Sequence, residues 1–160
     1  MIIIMGVSGC GKTTVGKALS RKTNIPFFDA DDFHPQKNIE KMKHNIPLND
    51  YDRKPWLDSL ADNMVTWEKE GGSILACSAL KESYRKILGS KLKQIHWVYL
   101  YAPFEVIQSR LEDRPEHYMK SDLLRSQFET LEPPEYGLHL STEETLEDIV
   151  KHIITYFSLK

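Results

Sequence analysis

Apolar positions along the chain fall into two alternating patterns: short continuous runs, and stripes at helical spacing. The runs are Met1–Met5, Phe27–Asp29, Ser73–Ser78, Ile95–Tyr101 and, more weakly marked, Gly137–Leu140. A short unbroken apolar run between turn residues fits a strand buried on both faces. Between the runs lie the stripes. Leu57, Leu60, Met64 and Trp67 share a face, as do Leu124, Phe128 and Leu131. Val106, Ile107 and Leu111 follow Pro103, which suits a first helical turn. Leu146, Ile149, Val150, Ile153, Ile154 and Phe157 predict an amphipathic helix, with Ser141-Thr-Glu-Glu144 before it as a capping box. Strands alternating with helices predict a parallel sheet covered on both faces. No repeat, low-complexity tract or linker interrupts the pattern, and 160 residues suit one domain with its own core.

The first run leads directly into Gly6-Val-Ser-Gly-Cys-Gly-Lys12-Thr13, and the pattern continues as a helix over Thr14–Arg21. This is G-x-x-x-x-G-K-T between a strand and a helix, the phosphate-binding P-loop in its proper context. Glycines let the backbone turn its N–H groups inward at a helix N-terminus. Gly6, Ser8, Gly9, Cys10, Gly11, Lys12, Thr13 and Thr14 are therefore the expected nucleotide contacts. Lys12 is expected to reach the β- and γ-phosphates of ATP, and the Thr13 hydroxyl to ligate Mg²⁺. A Gly-rich turn with an accidental lysine is the bland alternative, and the flanking elements disfavour it.

Composition narrows the function. Lys and Arg number 21 against 23 Asp and Glu, a net charge of −2, which argues against a broad nucleic-acid face. Met1–Met5 is too short for a signal segment and has no basic flank, and no apolar run approaches membrane length. The two cysteines, Cys10 and Cys77, lack metal spacing and read as free thiols in a reducing cytoplasm. A cytoplasmic protein is expected. The histidines do not cluster at ligand spacing.

A P-loop alone does not separate a kinase from a switch or a motor. The chain is short, and it carries neither N-K-x-D nor D-x-x-G. Asp29 and Asp31 follow the second strand run, where the carboxyl ends of parallel strands form the ligand crevice. Arg110-Leu-Glu-Asp-Arg114-Pro-Glu-His117 supplies arginines of the kind that neutralise a transferring phosphoryl group. The segment from about 114 to 121 is polar, carries Pro115 and lies between two helical patterns, so a mobile lid is expected there. Together these features point to a small-molecule kinase.

Several blocks carry a closer resemblance. Asp29-Ala-Asp31-Asp-Phe-His34-Pro35, Asn38-Ile-Glu-Lys-Met42 and Pro47-Leu-Asn-Asp50-Tyr-Asp52-Arg53-Lys-Pro-Trp56-Leu57 resemble the gluconokinases. So do Cys77-Ser-Ala-Leu-Lys81-Glu-Ser-Tyr84-Arg85, Arg114-Pro-Glu-His117-Tyr-Met and Ser126-Gln127-Phe128-Glu129-Thr-Leu131-Glu132-Pro133. The resemblance runs from the P-loop to about Pro133. It implies ATP-dependent phosphorylation of D-gluconate at C6. It also implies the three-layer α/β fold of the small P-loop kinases, with a five-stranded parallel sheet and a lid. Tyr118 departs from the Phe often found at its position.

Within that frame each residue has an expected role and an alternative. Asp31 orients the attacking hydroxyl, and Asp29 holds Mg²⁺-bound water; otherwise one aspartate of this group, Asp32 first, caps the helix starting near Pro35. Arg53 and Arg85 are candidate clamps for the gluconate carboxylate, because arginine binds carboxylates bidentately. Arg85 ranks slightly ahead; its alternative is an exposed helix residue. Lys81 and His34 rank second as substrate contacts, His34 being otherwise a satisfied turn histidine. Gln127 is a candidate for substrate hydroxyls. By resemblance, Arg110 is the residue that stacks on adenine and Arg114 the lid arginine that meets phosphate. A kinase of another hydroxy acid such as shikimate, or a nucleotide-binding regulator without transfer activity, is the competing reading. The sequence does not choose an oligomeric state, and a homodimer stays open.

Overall fold

In the computed structural model, which describes residues 1–113 and 121–160, the strand formed by Ile2–Met5 (β1) lies at the centre of a five-stranded, wholly parallel sheet. All four of its residues are buried, so both faces of the strand are covered. After β1 come α1 (Lys12–Thr23), β2 (Phe27–Asp29), a 3-10 turn (Ala30–Phe33), α2 (Gln36–Lys43) and α3 (Asp50–Lys69). Then follow β3 (Ile74–Ala76), α4 (Glu82–Gly89), β4 (His96–Tyr101), α5 (Phe104–Glu112), α6 (Ser121–Thr130), β5 (Leu138–Ser141) and α7 (Leu146–Phe157). The sheet order is β2-β3-β1-β4-β5. Ile2 sits level with Ile74 on one side and His96 on the other. The lid expectation, with Arg114 and His117, lies outside the described residues.

Every expected strand is present, with ends moved by a residue or two. The periodic stripes also resolve as the core: Leu57, Leu60 and Met64 of α3 are buried, as are Ile149, Val150 and Ile153 of α7. Burying such aliphatic side chains is the main stabilising term, about 1.5–3 kcal/mol each. One local expectation fails. The capping box for α7 is not Ser141–Glu144. Ser141 completes β5, and Thr145 caps the helix by accepting from the Asp148 amide at 3.1 Å. Ser141 through Glu144 form the preceding turn, where the Glu143 amide donates to the Ser141 hydroxyl.

α1 reaches the sheet closely because Gly16 faces Phe27. A Cβ at Gly16 would stand 2.3 Å from the Phe27 ring. The opening of the P-loop is fixed in the same way. Gly6 has φ +144°, and a Cβ there would lie 2.5 Å from the Leu100 carbonyl oxygen of β4. Only glycine combines that backbone angle with that approach.

Candidate active site

The carboxyl ends of β1, β2 and β3 open into one cleft, the place where open α/β sheets bind ligands. The P-loop forms its floor through Ser8, Gly9, Gly11, Lys12, Thr13 and Thr14. Gly11 precedes α1 in the left-handed region at φ +102° and no side chain caps the helix. The N–H groups of the first turn are therefore left for an anion, and the helix dipole favours one there. Two residues of the motif are used internally instead. The Gly6 amide donates to Ser78 O, and the Cys10 amide donates to Val7 O, with the Cys10 side chain fully buried. Lys12 Nζ donates to Val7 O at 2.9 Å, across the loop it spans.

The second wall carries the aspartates. Asp29 ends β2 and serves two partners: its Oδ2 accepts from the Thr13 hydroxyl at 2.7 Å, and its Oδ1 accepts from the Asp31 amide at 3.1 Å. The capping aspartate is thus Asp29, acting on the 3-10 turn. Asp32 does not cap α2, which starts after Pro35 with no side-chain cap. The turn aims Asp31 into the cleft. Crowding by the cleft walls, assisted by Asp29 and Asp32, raises the Asp31 carboxyl above the usual range, while Lys12 opposes this. Since 83 % of that side chain is open to solvent, the crowding is incomplete. Thr13 and Asp29 together present hard oxygen donors beside Lys12, a donor set suited to Mg²⁺ and its waters.

The third wall comes from α2, α3 and the loop between them. Arg53 lines the cleft. Its Nη1 donates to Leu48 O at 2.5 Å and to the Tyr84 hydroxyl at 3.2 Å, and the guanidinium lies 5.4 Å from the Tyr84 ring centre. Its Nε and Nη2 have no protein partner among the described residues. His34 also lines the cleft, stacked on Trp56 with ring centres 4.1 Å apart, its Nε2 3.8 Å from Asp31 Oδ1. Burial, reinforced by Arg53, lowers its pKa to about 4, so the ring is neutral at pH 7. Trp56 is itself pinned, its Nε1 donating to Ala30 O at 2.8 Å. α3 thereby holds the turn that carries Asp31.

Three expected contacts lie elsewhere. Arg85 is buried, and its donors are spent on the protein. Nε donates to Glu82 Oε2 and to the Tyr136 hydroxyl, Nη1 to Ala79 O and Leu80 O, and Nη2 to Glu132 O. It is neither the exposed helix residue nor a free clamp; it is a strut between the β3–α4 loop and the segment after α6. Lys81 stands outside the cleft lining and pairs with Asp50 at 3.1 Å, while Asp50 also accepts from the Tyr84 hydroxyl at 2.5 Å. Arg110 holds the turn after β5, donating to Thr142 Oγ1 at 2.7 Å and to Thr142 O at 2.6 Å. Gln127 does line the cleft, but its Oε1 already accepts from the Ser8 amide at 2.7 Å, so it ties α6 to the P-loop. Sequence reasoning missed Met42, Ile46, Leu123 and Ser126 as cleft residues. Cys77 also faces it, its thiol pushed up to about 12 by burial and hence protonated.

Comparison with known proteins agrees with this geometry. A family model described as an AAA domain matches residues 2–133. The probable gluconokinase of Rattus norvegicus is 40 % identical over 179 residues, covering 96 % of this chain and 95 % of that protein. The thermosensitive gluconokinase of Escherichia coli K12 is 43 % identical, covering 83 % and 72 %. The crystal structure of a gluconokinase from Sinorhizobium meliloti 1021 superposes with a TM-score of 0.89 at 36 % identity, over 98 % of this chain and 90 % of that one. With the P-loop, the acidic pair and the sheet order in hand, these similarities place the chain in the gluconokinase family of P-loop kinases.

Proposed function

We infer that the chain transfers the γ-phosphoryl group of ATP to the C6 hydroxyl of D-gluconate. One observation carries the reading: the P-loop, the Asp29–Asp31 pair and a guanidinium with unspent donors share a single cleft. A polyhydroxy acid offers that cleft an anion to pair and several hydroxyls to orient. The Arg53 guanidinium holds the carboxylate, its remaining N–H groups matching two oxygens. The extended chain then runs toward Asp31, which accepts the hydrogen bond of the terminal hydroxyl and turns its oxygen toward the P-loop. Phosphoryl transfer proceeds through a loose transition state, so orienting the hydroxyl matters more than strong basicity, and a solvent-facing carboxylate suffices. The proton passes to Asp31 as the new P–O bond forms and the bond to the ADP leaving group breaks. Lys12 swings from Val7 O to neutralise charge gathering on the transferring group. Thr13 and Asp29 would hold Mg²⁺, which supplies charge neutralisation across the phosphates when bound. Arg110 fixes the β5–α7 turn through its two bonds to Thr142.

The test is a substrate panel read by ADP release, with gluconate, shikimate, glucose and nucleoside monophosphates side by side. Gluconate is expected to be the best substrate, and to exceed glucose by at least about a hundredfold in kcat/KM, because a site that leaves its charged group unpaired rejects the neutral sugar. Equal turnover of shikimate or glucose refutes the reading.

A further inference from the structure

Resting on the placement of Asp31 beside the reacting hydroxyl, we propose that Asn38 is a positioning residue that locks His34 in the tautomer protonated at Nε2. The ring then donates a hydrogen bond to the substrate hydroxyl whose own proton points at Asp31. Asn38 lies in the first turn of α2 and is fully buried. Its Nδ2 is 2.9 Å from Asp52 O and 3.3 Å from His34 Nδ1. A main-chain carbonyl has only lone pairs, so the amide can be turned one way: the NH₂ faces Asp52 O. Its second hydrogen then points at His34 Nδ1. That nitrogen must accept, and in a neutral ring the proton is left on Nε2.

The rest of the surroundings hold the ring still. Trp56 stacks on it at an interplanar angle of 17°, and the indole is fixed by Ala30 O. The ring edge bearing Nε2 faces Asp31 across 3.8 Å, too long for a direct hydrogen bond and close enough for one oxygen, set to the side of the line joining them, to reach both at about 2.8 Å. A hydroxyl fits such a pair, donating to the carboxylate while accepting from the imidazole. A carbonyl oxygen does not, because it has no hydrogen for Asp31. The two side chains would therefore read an alcohol against its oxidised form.

Stability alone does not account for the amide. Asn38 Oδ1 is buried with no partner among the described residues. An apolar side chain of similar size would avoid that orphan acceptor. What only an amide does here is hand one hydrogen to Asp52 O and the other to Nδ1.

The experiment begins with the intact protein labelled with ¹⁵N-histidine, read by long-range ¹H–¹⁵N correlation at pH 7.5. His34 is expected to show a bare Nδ1 and a protonated Nε2; a protonated Nδ1 overturns the proposal. This readout needs no substrate and no variant, so it stands even if gluconate is not the substrate. With gluconate, Asn38→Ala is expected to mix the tautomers and raise KM about tenfold, with the KM for ATP changed less than about twofold. His34→Gln places an amide N–H at the Nε2 position without a tautomer to choose. Adding Asn38→Ala to His34→Gln is then expected to cause no further rise, and independent effects that simply add would overturn the proposal.

Discussion

Replacing Arg85 separates a strut from a clamp. The residue is 3 % exposed, and its guanidinium satisfies the carbonyls of Ala79, Leu80 and Glu132 together with the Glu82 carboxylate. Burial pushes the Glu82 carboxyl up, but the Tyr136 hydroxyl and Arg85 outweigh it and hold the group below its ordinary value. Truncation to Ala removes the buried cation and leaves main-chain acceptors without donors. Breaking such a buried arrangement costs about 3–5 kcal/mol. For a chain of this size that lowers Tm by about 10 °C or more. Arg85→Lys recovers little, since one ammonium cannot reach acceptors on two separate segments with the fork geometry of a guanidinium. The assay is thermal and urea unfolding of both variants, alongside KM for gluconate and for ATP. A strut predicts large losses of stability in both. Variants that melt within about 2 °C of the parent, yet show a raised gluconate KM, would refute this reasoning and restore Arg85 as the carboxylate clamp.

The other expectations are briefer. Lys12→Ala should abolish ADP release while leaving Tm nearly unchanged, since the side chain meets the protein through one bond to Val7 O; near-normal turnover would remove Lys12 from the reaction. Arg53→Ala should raise the gluconate KM at least about tenfold with the ATP KM almost unaltered. A gluconate KM unmoved by that change would leave the carboxylate without its proposed partner. Folding stability should fall as pH drops from 6.5 toward 4. The folded ring of His34 titrates at about 4 against 6.5 when unfolded, so the unfolded chain binds the extra proton in that window. The shift corresponds to roughly 3 kcal/mol, fully present above pH 6.5 and lost by about pH 4. Urea midpoints measured across that range should show the slope in the parent and a smaller slope in His34→Gln.

What the sequence revealed about the fold and site divides by distance along the chain. The β1–P-loop–α1 unit is local: an apolar run, glycines and a helix sit within one stretch, so their pattern carries their structure. The same holds for α7, whose stripe is visible even though its cap is not. Ser141-x-x-Glu144 and Thr145-x-x-Asp148 both match a capping signature, and only the length of β5 decides between them. Arg85 shows the harder case. Its partners include residues 79, 132 and 136, brought together by folding, and no local spacing announces them. Asp29 was legible as a cleft residue because it ends a strand, but its second duty toward the Asp31 amide depends on the 3-10 turn. Gln127 belongs to the same class: its bond to the P-loop spans 119 residues.

The central place of β1 has a consequence for how the chain must be assembled. The strand precedes both of its sheet neighbours in the chain, and they arrive 72 and 94 positions later, at Ile74 and His96. At typical rates of about 5–20 residues per second, Ile2–Met5 waits several seconds with no sheet to join. During that time it is a short, uncharged, β-prone ribbon, the sort of segment that recruits other chains or molecular chaperones. Closing it into place requires loops of more than seventy residues on one side and more than ninety on the other, so its pairing is a late and slow event. Nascent chains arrested before His96 should therefore remain protease-sensitive at Ile2–Met5, and those extended past Tyr101 should become protected.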